Sequence, residues 1–223
     1  KLEKLTTLLN QLGSKTSIVF CNHREVIDRL EDHLREHQFA CTKFHGGLDQ
    51  VDRERAIIKF QNQTSNILIC TDLAARGIDI DDVNNVIHYQ FPIDEAQFIH
   101  RNGRTARQGK SGNVYWVNTS EKLPQYIKLD YSKCILRDKN TLPYQTIWKT
   151  LFIGAGKKDK ISRGDVLGFL IKQGQLNKDA IGRIDIKDQF VYVAIKSTEM
   201  KDLLKLISGK RIKKKKPKFA TAR

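Results

Sequence analysis

Residues 100–112, HRNGRTARQGKSG, carry three arginines at every third position: Arg101, Arg104 and Arg107. His100 stands beside them, and Gly103, Gly109 and Gly112 interrupt the same run. At helical spacing the three guanidiniums fall on one slowly drifting face. They repel one another there unless an anion neutralises them. Arginine suits phosphate because its planar fork of donors matches phosphate oxygens. A phosphoryl group in transfer fits such a set, and an arginine supplied to it is worth about 10³ to 10⁵ in rate. A solvated basic helix is the plain alternative, but glycines in a helical run cost stability and need another reason. Packing by itself asks for none of these arginines.

Two further stretches have phosphate-binding character. In CTDLAARGIDI, residues 70–80, Thr71 could donate to a phosphate and Asp79 could accept from a ribose hydroxyl. Gly77 permits a tight turn or a close backbone approach, and Asp72 is placed to cap the segment after β-strand residues 65–70. A helix cap and then a surface turn explain this segment equally simply. In HGGLDQVDR, residues 45–53, Gly46 and Gly47 bare their N–H groups before a helix N-terminus, a phosphate-binding arrangement. Gln50 and Arg53 come next on one helical face. An ordinary strand–turn–helix with Asp49 as its cap reads as well.

What is missing narrows the chemistry. No G-x-x-x-x-G-K-S/T loop is present to cradle a nucleotide. GAGKKDK (154–160) has Lys158 where Ser or Thr must stand, and DEAQ (94–97) does not come after a long apolar strand. The chain can therefore offer arginines to a phosphate, but it is expected to need a partner to hold nucleotide and metal. No metal-ligand spacing is found among the four cysteines, Cys21, Cys41, Cys70 and Cys134. Their unpaired distribution fits a reduced, cytoplasmic setting. No apolar run is long enough for a membrane helix.

The elements that must position these residues alternate. Strands are predicted over 16–21, 39–44, 65–70, 83–91 and 112–118, with helices over 24–37 and 50–62. Such alternation argues for a parallel sheet covered on both faces, with ligands at the carboxyl ends of its strands. A helix-like stretch comes after Leu123-Pro124, and Pro143 marks a boundary. Beyond it the order is strand (149–156), helix (162–174), strand (181–188), strand (189–196) and helix (198–210), with RIKKKKPKF (211–219) as a possible last strand. That order suits a small antiparallel sheet backed by two helices.

Charge separates the two parts. The chain of 223 residues carries a net charge of +15, of which residues 1–146 hold +2 and residues 147–223 hold +13. A basic C-terminal unit facing a polyanion is the reading of that asymmetry, against the plainer one of a lysine-rich solvated surface.

SIVFCN, HGGLDQVDR, TDLAARGID and HRNGRTARQGKSG, in that order, resemble the second RecA-like domain of DEAD-box RNA helicases across residues 1–140. The resemblance implies that Arg107 is an arginine finger, that Arg104 touches the γ-phosphate and that Asp79 binds the ribose of ATP. It implies that Gly46, Arg53, Thr71 and Gly77 contact the RNA backbone, and that His100, with Asp72, couples the ATP and RNA sites. Ala106 replaces the usual second glycine of GRTGR, and His23 stands where the family has Thr, so that the Thr contact to RNA is not carried over. LFIGAGKKDKISRGDVLGFL and IGRIDIKDQFVYVAIK resemble the RNA-binding domain of DbpA-type bacterial helicases, which is RRM-like. This implies a target in structured RNA, such as a hairpin of large-subunit ribosomal RNA. Phe152 and Tyr192 could stack bases or fill the core, with core packing favoured for at least one. Lys157, Lys158, Lys160 and Arg163, with Lys213, Lys214, Lys215 and Lys216, are the expected RNA contacts.

The expectation is an α/β chain. A RecA-like parallel sheet with helices on both faces occupies 1–140, a linker 141–147, and a small α+β RRM-like domain with a basic tail 148–223. It would be the C-terminal portion of an ATP-dependent RNA helicase. ATP and Mg would be bound mainly by an N-terminal RecA-like domain, with structured RNA as the other partner and no membrane. The fragment alone would be inactive. The rival readings are an RNA-binding or RNA-chaperone protein with a retired helicase domain, and a DNA helicase.

Overall fold

The computed structural model describes residues 1–75, 80, 82–106, 109, 111–117, 123–128, 130–137 and 142–222. The chain divides into two compact units, the first of Lys1–Ile57 with Ser65–Gln145, the second of Ile58–Thr64 with Thr146–Arg223.

The first unit is built on β1 (Ser17–Phe20), β2 (Cys41–Phe44), β3 (Ile67–Cys70), β4 (Asn85–His88) and β5 (Asn113–Trp116), all parallel in the order β2-β3-β1-β4-β5. The central strands are buried on both faces, as continuous apolar runs such as SIVF and ILIC require. Alternate residues Val19, Ile69 and Ile87 face α1 (Leu2–Leu12) and α2 (Arg24–Glu36) through Leu5, Leu8, Leu9, Ile27, Leu30 and Leu34. On the other face Phe20 and His88 stack towards Phe98 of α5 (Glu95–Asn102), with ring centroids 6.4 and 5.0 Å apart. The remaining helices are α3 (Gln50–Gln61) and the single turn α4 (Asp72–Ala75).

The predicted strands and helices of this unit form, each trimmed at its ends. Three readings change. The first predicted element starts at residue 16, yet α1 precedes it, its leucines at positions 2, 5, 8, 9 and 12 making one apolar stripe. The stretch after Pro124 is not helical among its described residues. The triple-arginine run is not one helical face, because α5 ends at Asn102 and Ala106 holds φ at 55°.

In the second unit the order is β6 (Trp148–Ile153), α6 (Arg163–Lys172), β7 (Ile181–Ile186), β8 (Val191–Lys196), α7 (Met200–Ile207) and β9 (Phe219–Thr221). The strands form an antiparallel sheet in the order β7-β8-β6-β9, the RRM-like arrangement expected. Leu151, Ile153, Val191, Val193 and Ile195 pack against Val166, Phe169 and Leu170 of α6 and Leu203 and Ile207 of α7. Phe152, Tyr192 and neighbouring Phe190 gather with ring centroids 5.1–6.0 Å apart. The last strand begins where RIKKKKPKF ends. The lysine run is instead a tight turn, closed by Ile212 N–H to Lys215 O at 2.9 Å and Lys215 N–H to Ile212 O at 3.1 Å.

Candidate functional site

The three arginines do different work. Arg101 sits on the last turn of α5, facing inward with Phe98, and is 1% exposed. Its Nε and Nη2 donate to the two carboxylate oxygens of Asp72 at 2.6 and 2.5 Å. Nη2 also donates to Asn22 Oδ1 at 2.8 Å, and Nη1 to the Gln90 carbonyl at 2.7 Å and more weakly to His88 Nδ1 at 3.4 Å. The guanidinium lies over the Phe20 ring, 5.1 Å from its centroid. A buried charge is tolerated only when paired and fully hydrogen-bonded, and here four residues, Asp72, Asn22, Gln90 and His88, supply the partners. Packing therefore does need this arginine. Its anion is internal: Asp72, the first residue of α4. Asp72 is accordingly not the cap of that turn. Thr71 is, its Oγ1 accepting from Ala74 N–H at 3.4 Å.

Arg104 lies past the helix end and lines a shallow pocket with Phe20, Asp72, Ala75, Gln97, His100 and Arg101. Its backbone is held on both sides: its N–H donates to Arg101 O at 3.2 Å, and its carbonyl accepts from Val83 N–H at 3.1 Å. Its Nη2 donates to Nε2 of the exposed His100 at 3.1 Å, which leaves the imidazole proton on Nδ1. Thr105 is buried and its Oγ1 donates to Val83 O. Gly112 must be glycine for this, because a Cβ there would come within 1.9 Å of Thr105 Oγ1. Gly77, Asp79 and Arg107 lie outside the described residues.

The HGG turn is built from behind by a residue that sequence reasoning passed over. His45 is 5% exposed, and its Nδ1 accepts from Gly47 N–H at 3.2 Å. Its Nε2 faces Asp28 Oδ1 at 3.5 Å, and Asp28 pairs with Lys43 at 2.6 Å. Lys43 draws the Asp28 carboxyl below its usual range. Gly46 is exposed, and Arg53 stands on the first turn of α3 with a buried Nε that has no hydrogen-bond partner among the described residues. Asp49 caps α3 through Asp52 N–H at 2.7 Å. The Asp49 cap is present, but the Gly47 N–H expected to be bared for a phosphate is instead taken up by His45 Nδ1.

In the second unit, two basic stretches far apart in sequence meet. The Lys213 ammonium is 2.6 Å from Asp165 and 2.6 Å from the Lys160 carbonyl, and Lys215 is 3.0 Å from Asp159. Arg163 Nε donates to the Ile184 carbonyl at 3.1 Å. Lys157, Lys158, Lys214 and Lys216 are exposed and have no carboxylate partner among the described residues. Lys213, with help from Ser162, lowers the Asp165 carboxyl to about 2. Among the described residues no three His, Cys, Asp or Glu side chains gather as a metal site, and no helix is long and apolar enough to cross a membrane.

Known proteins share both parts. Residues 1–109 match the helicase conserved C-terminal domain and residues 150–220 the DbpA RNA binding domain. The ATP-dependent RNA helicase DbpA of Bacillus subtilis (strain 168) is 30% identical over 252 residues, covering 100% of this chain and 52% of that protein. The Escherichia coli (strain K12) protein of that name is 31% identical, covering 96% and 49%. The chain belongs to the DEAD-box RNA helicase family. It carries the C-terminal region and its RNA-binding domain, and it spans about half the length of these curated relatives. A solved S. cerevisiae Dbp5 variant bound to RNA and ADP BeF3 is 32% identical, with a TM-score of 0.50, covering 53% of this chain and 32% of that one.

One departure from the DEAD-box pattern gains a physical meaning. Ala106 has φ of 55°, in the left-handed region where a Cβ is costly. The glycine usual at this position meets that backbone demand without strain.

His88 adds a pH dependence to the Arg101 network. Its Nε2–H donates to Asn102 Oδ1 at 2.8 Å, leaving Nδ1 to accept from Arg101. Burial lowers its pKa from 6.5 to about 4; the Arg101 charge adds to this and the Asn102 bond opposes it. Between these values the unfolded chain binds more protons, so stability rises with pH. The contribution is complete above pH 6.5 and is lost as pH falls through about 4; it amounts to at most about 3 kcal/mol. His88→Gln is expected to flatten the fall in urea midpoint between neutral pH and pH 4. An unchanged fall would show that other groups set the acid limb.

Proposed function

We propose that this chain is the catalytic-arginine and RNA-tethering half of an ATP-dependent RNA helicase. The observation that carries this reading is the pairing of charge at the pocket: Asp72 binds Arg101 in a bidentate ion pair, and Arg104, 8% exposed, lines the same pocket within hydrogen-bond distance of exposed His100. In this reading Arg104 reaches the γ-phosphate, Arg107 is the arginine finger and Asp79 holds the ribose. ATP and Mg sit mainly on an N-terminal RecA-like domain of the longer protein. Gly46, Arg53, Thr71 and Gly77 meet the RNA backbone, with His100 and Asp72 coupling the two sites. The Asp72–Arg101 pair is a physical route for that coupling, since it joins α4 to the helix that ends just before Arg104.

The second unit, as an RNA-binding domain over 148–223 after a linker at 141–147, tethers the enzyme through its basic loops. Structured RNA is the target class, with ribosomal RNA in large-subunit assembly as the specific case. Unpaired cysteines support a cytoplasmic setting. The test compares this chain with the longer protein. The chain alone is expected to show no ATPase activity, and the longer protein ATPase activity stimulated by RNA. Turnover by the purified chain alone would overturn the two-domain site. Stimulation by DNA only would make the enzyme a DNA helicase, and no turnover in the longer protein would favour an RNA chaperone.

A further inference from the structure

The lysine run of the second unit alternates in its surroundings. Lys213 and Lys215 turn towards the first turn of α6 and the loop before it, where they meet Asp165 and Asp159. Each carboxylate is itself anchored. Asp165 Oδ2 accepts from Ser162 N–H at 2.8 Å and from Ser162 Oγ, and Asp159 Oδ2 accepts from Gly156 N–H at 3.2 Å. The loop is latched on its other side to the β7–β8 hairpin. Lys157 N–H donates to Lys187 O and Lys158 N–H to Asp188 O, both at 2.9 Å. Gly156 makes that approach possible, because a Cβ there would lie 2.3 Å from Lys187 O. The turn bearing Lys213 is closed by the Ile212–Lys215 pair, with Lys213 at φ 55°.

We propose that Lys213 and Lys215 are positioning residues that fasten the lysine turn to the β6–α6 loop, while Lys214, Lys216, Lys157 and Lys158 neutralise the phosphates of bound RNA. This rests on the RNA-binding reading of the second unit and divides the lysines within it. An ammonium seated on a carboxylate has its field cancelled at short range. It therefore releases few counterions when a polyanion arrives, whereas each unpaired lysine that meets a phosphate releases its share. The latch ties the turn that bears Lys214 and Lys216 to the segment that bears Lys157 and Lys158.

The measurement is the affinity of this chain for a labelled RNA hairpin with a single-stranded flank, taken across a range of KCl concentrations. Lys214→Ala and Lys216→Ala are each expected to reduce the slope of log affinity against log salt by about 0.7–0.9. Lys213→Ala is expected to weaken binding about two- to fivefold, the scale of an exposed ion pair, and to leave the slope unchanged. Lys213→Arg, which still pairs with Asp165, is expected to restore binding. Asp165→Asn decides most sharply. It removes a negative charge, so simple attraction predicts tighter binding to RNA; loss of the latch predicts weaker binding. Thermal unfolding of each variant identifies any loss that comes from unfolding. Tighter binding by Asp165→Asn, or a slope loss at Lys213→Ala equal to that at Lys214→Ala, overturns the division of labour. Affinity of the parent chain that does not fall with salt overturns the RNA-binding reading itself.

Discussion

Arg101→Ala is expected to lower the stability of the first unit by about 3–5 kcal/mol, the cost of removing the buried partner of an ion pair whose carboxylate is half-buried. In a unit of this size that corresponds to a fall in Tm of roughly 10 °C. The loss is not one bond. Asp72 keeps its charge in a half-buried site, while Asn22 Oδ1 and the Gln90 carbonyl lose a donor. Asp72→Asn should cost less, since the amide retains one acceptor and its neutral form does not demand a cation. The pair replaced together, Asp72→Leu with Arg101→Met, should be less harmful than Arg101→Ala, because a buried ion pair exchanged for apolar groups is often nearly neutral. Thermal and urea unfolding of this chain read all three. An Arg101→Ala variant melting within about 2 °C of the parent would mean that water reaches the pair and that the buried-charge argument fails.

The same residue shows what the sequence could and could not say. The strands SIVF and ILIC, the glycines after β2 and the order β-α-β-β-α-β of the second unit were legible, because each rests on local periodicity. Arg101 and Arg104 are indistinguishable by type and spacing. Their fates diverge because α5 ends between them and because Arg101 finds Asn22 and Asp72, 79 and 29 residues away, at the ends of other strands. Nothing local announces such partners. His45 and His88 escaped notice for a similar reason: a lone histidine beside an apolar run reads as core, and only the fold reveals what its two nitrogens meet. The lysine run misled in another way. It is expected as the last strand from the order of elements, but it forms a tight turn whose Lys213 and Lys215 meet Asp165 and Asp159, residues distant in the sequence.

The largest catalytic effect is expected at Arg107. In the longer protein, Arg107→Ala should reduce the turnover number for RNA-stimulated ATP hydrolysis by about 10³–10⁵, the value of an arginine that meets charge only in the transition state. KM for ATP should change little, since a group that acts on the transition state alone lowers kcat and kcat/KM together. Arg107→Lys should not rescue, because an ammonium supplies charge without the fork that spans two phosphate oxygens. Affinity of the second unit for RNA should be untouched, as the lysines assigned to its phosphates are Lys157, Lys158, Lys214 and Lys216. Arg104→Ala provides the contrast. Arg104 is tied to His100 and fixed through its backbone to α5 and Val83, so its loss should disturb ATP binding as well as turnover. Turnover of Arg107→Ala within tenfold of the parent would remove the arginine finger from this chain. The run HRNGRTARQGKSG would then contribute one buried strut and one pocket cation, and the chemistry would have to be sought in the other half of the protein.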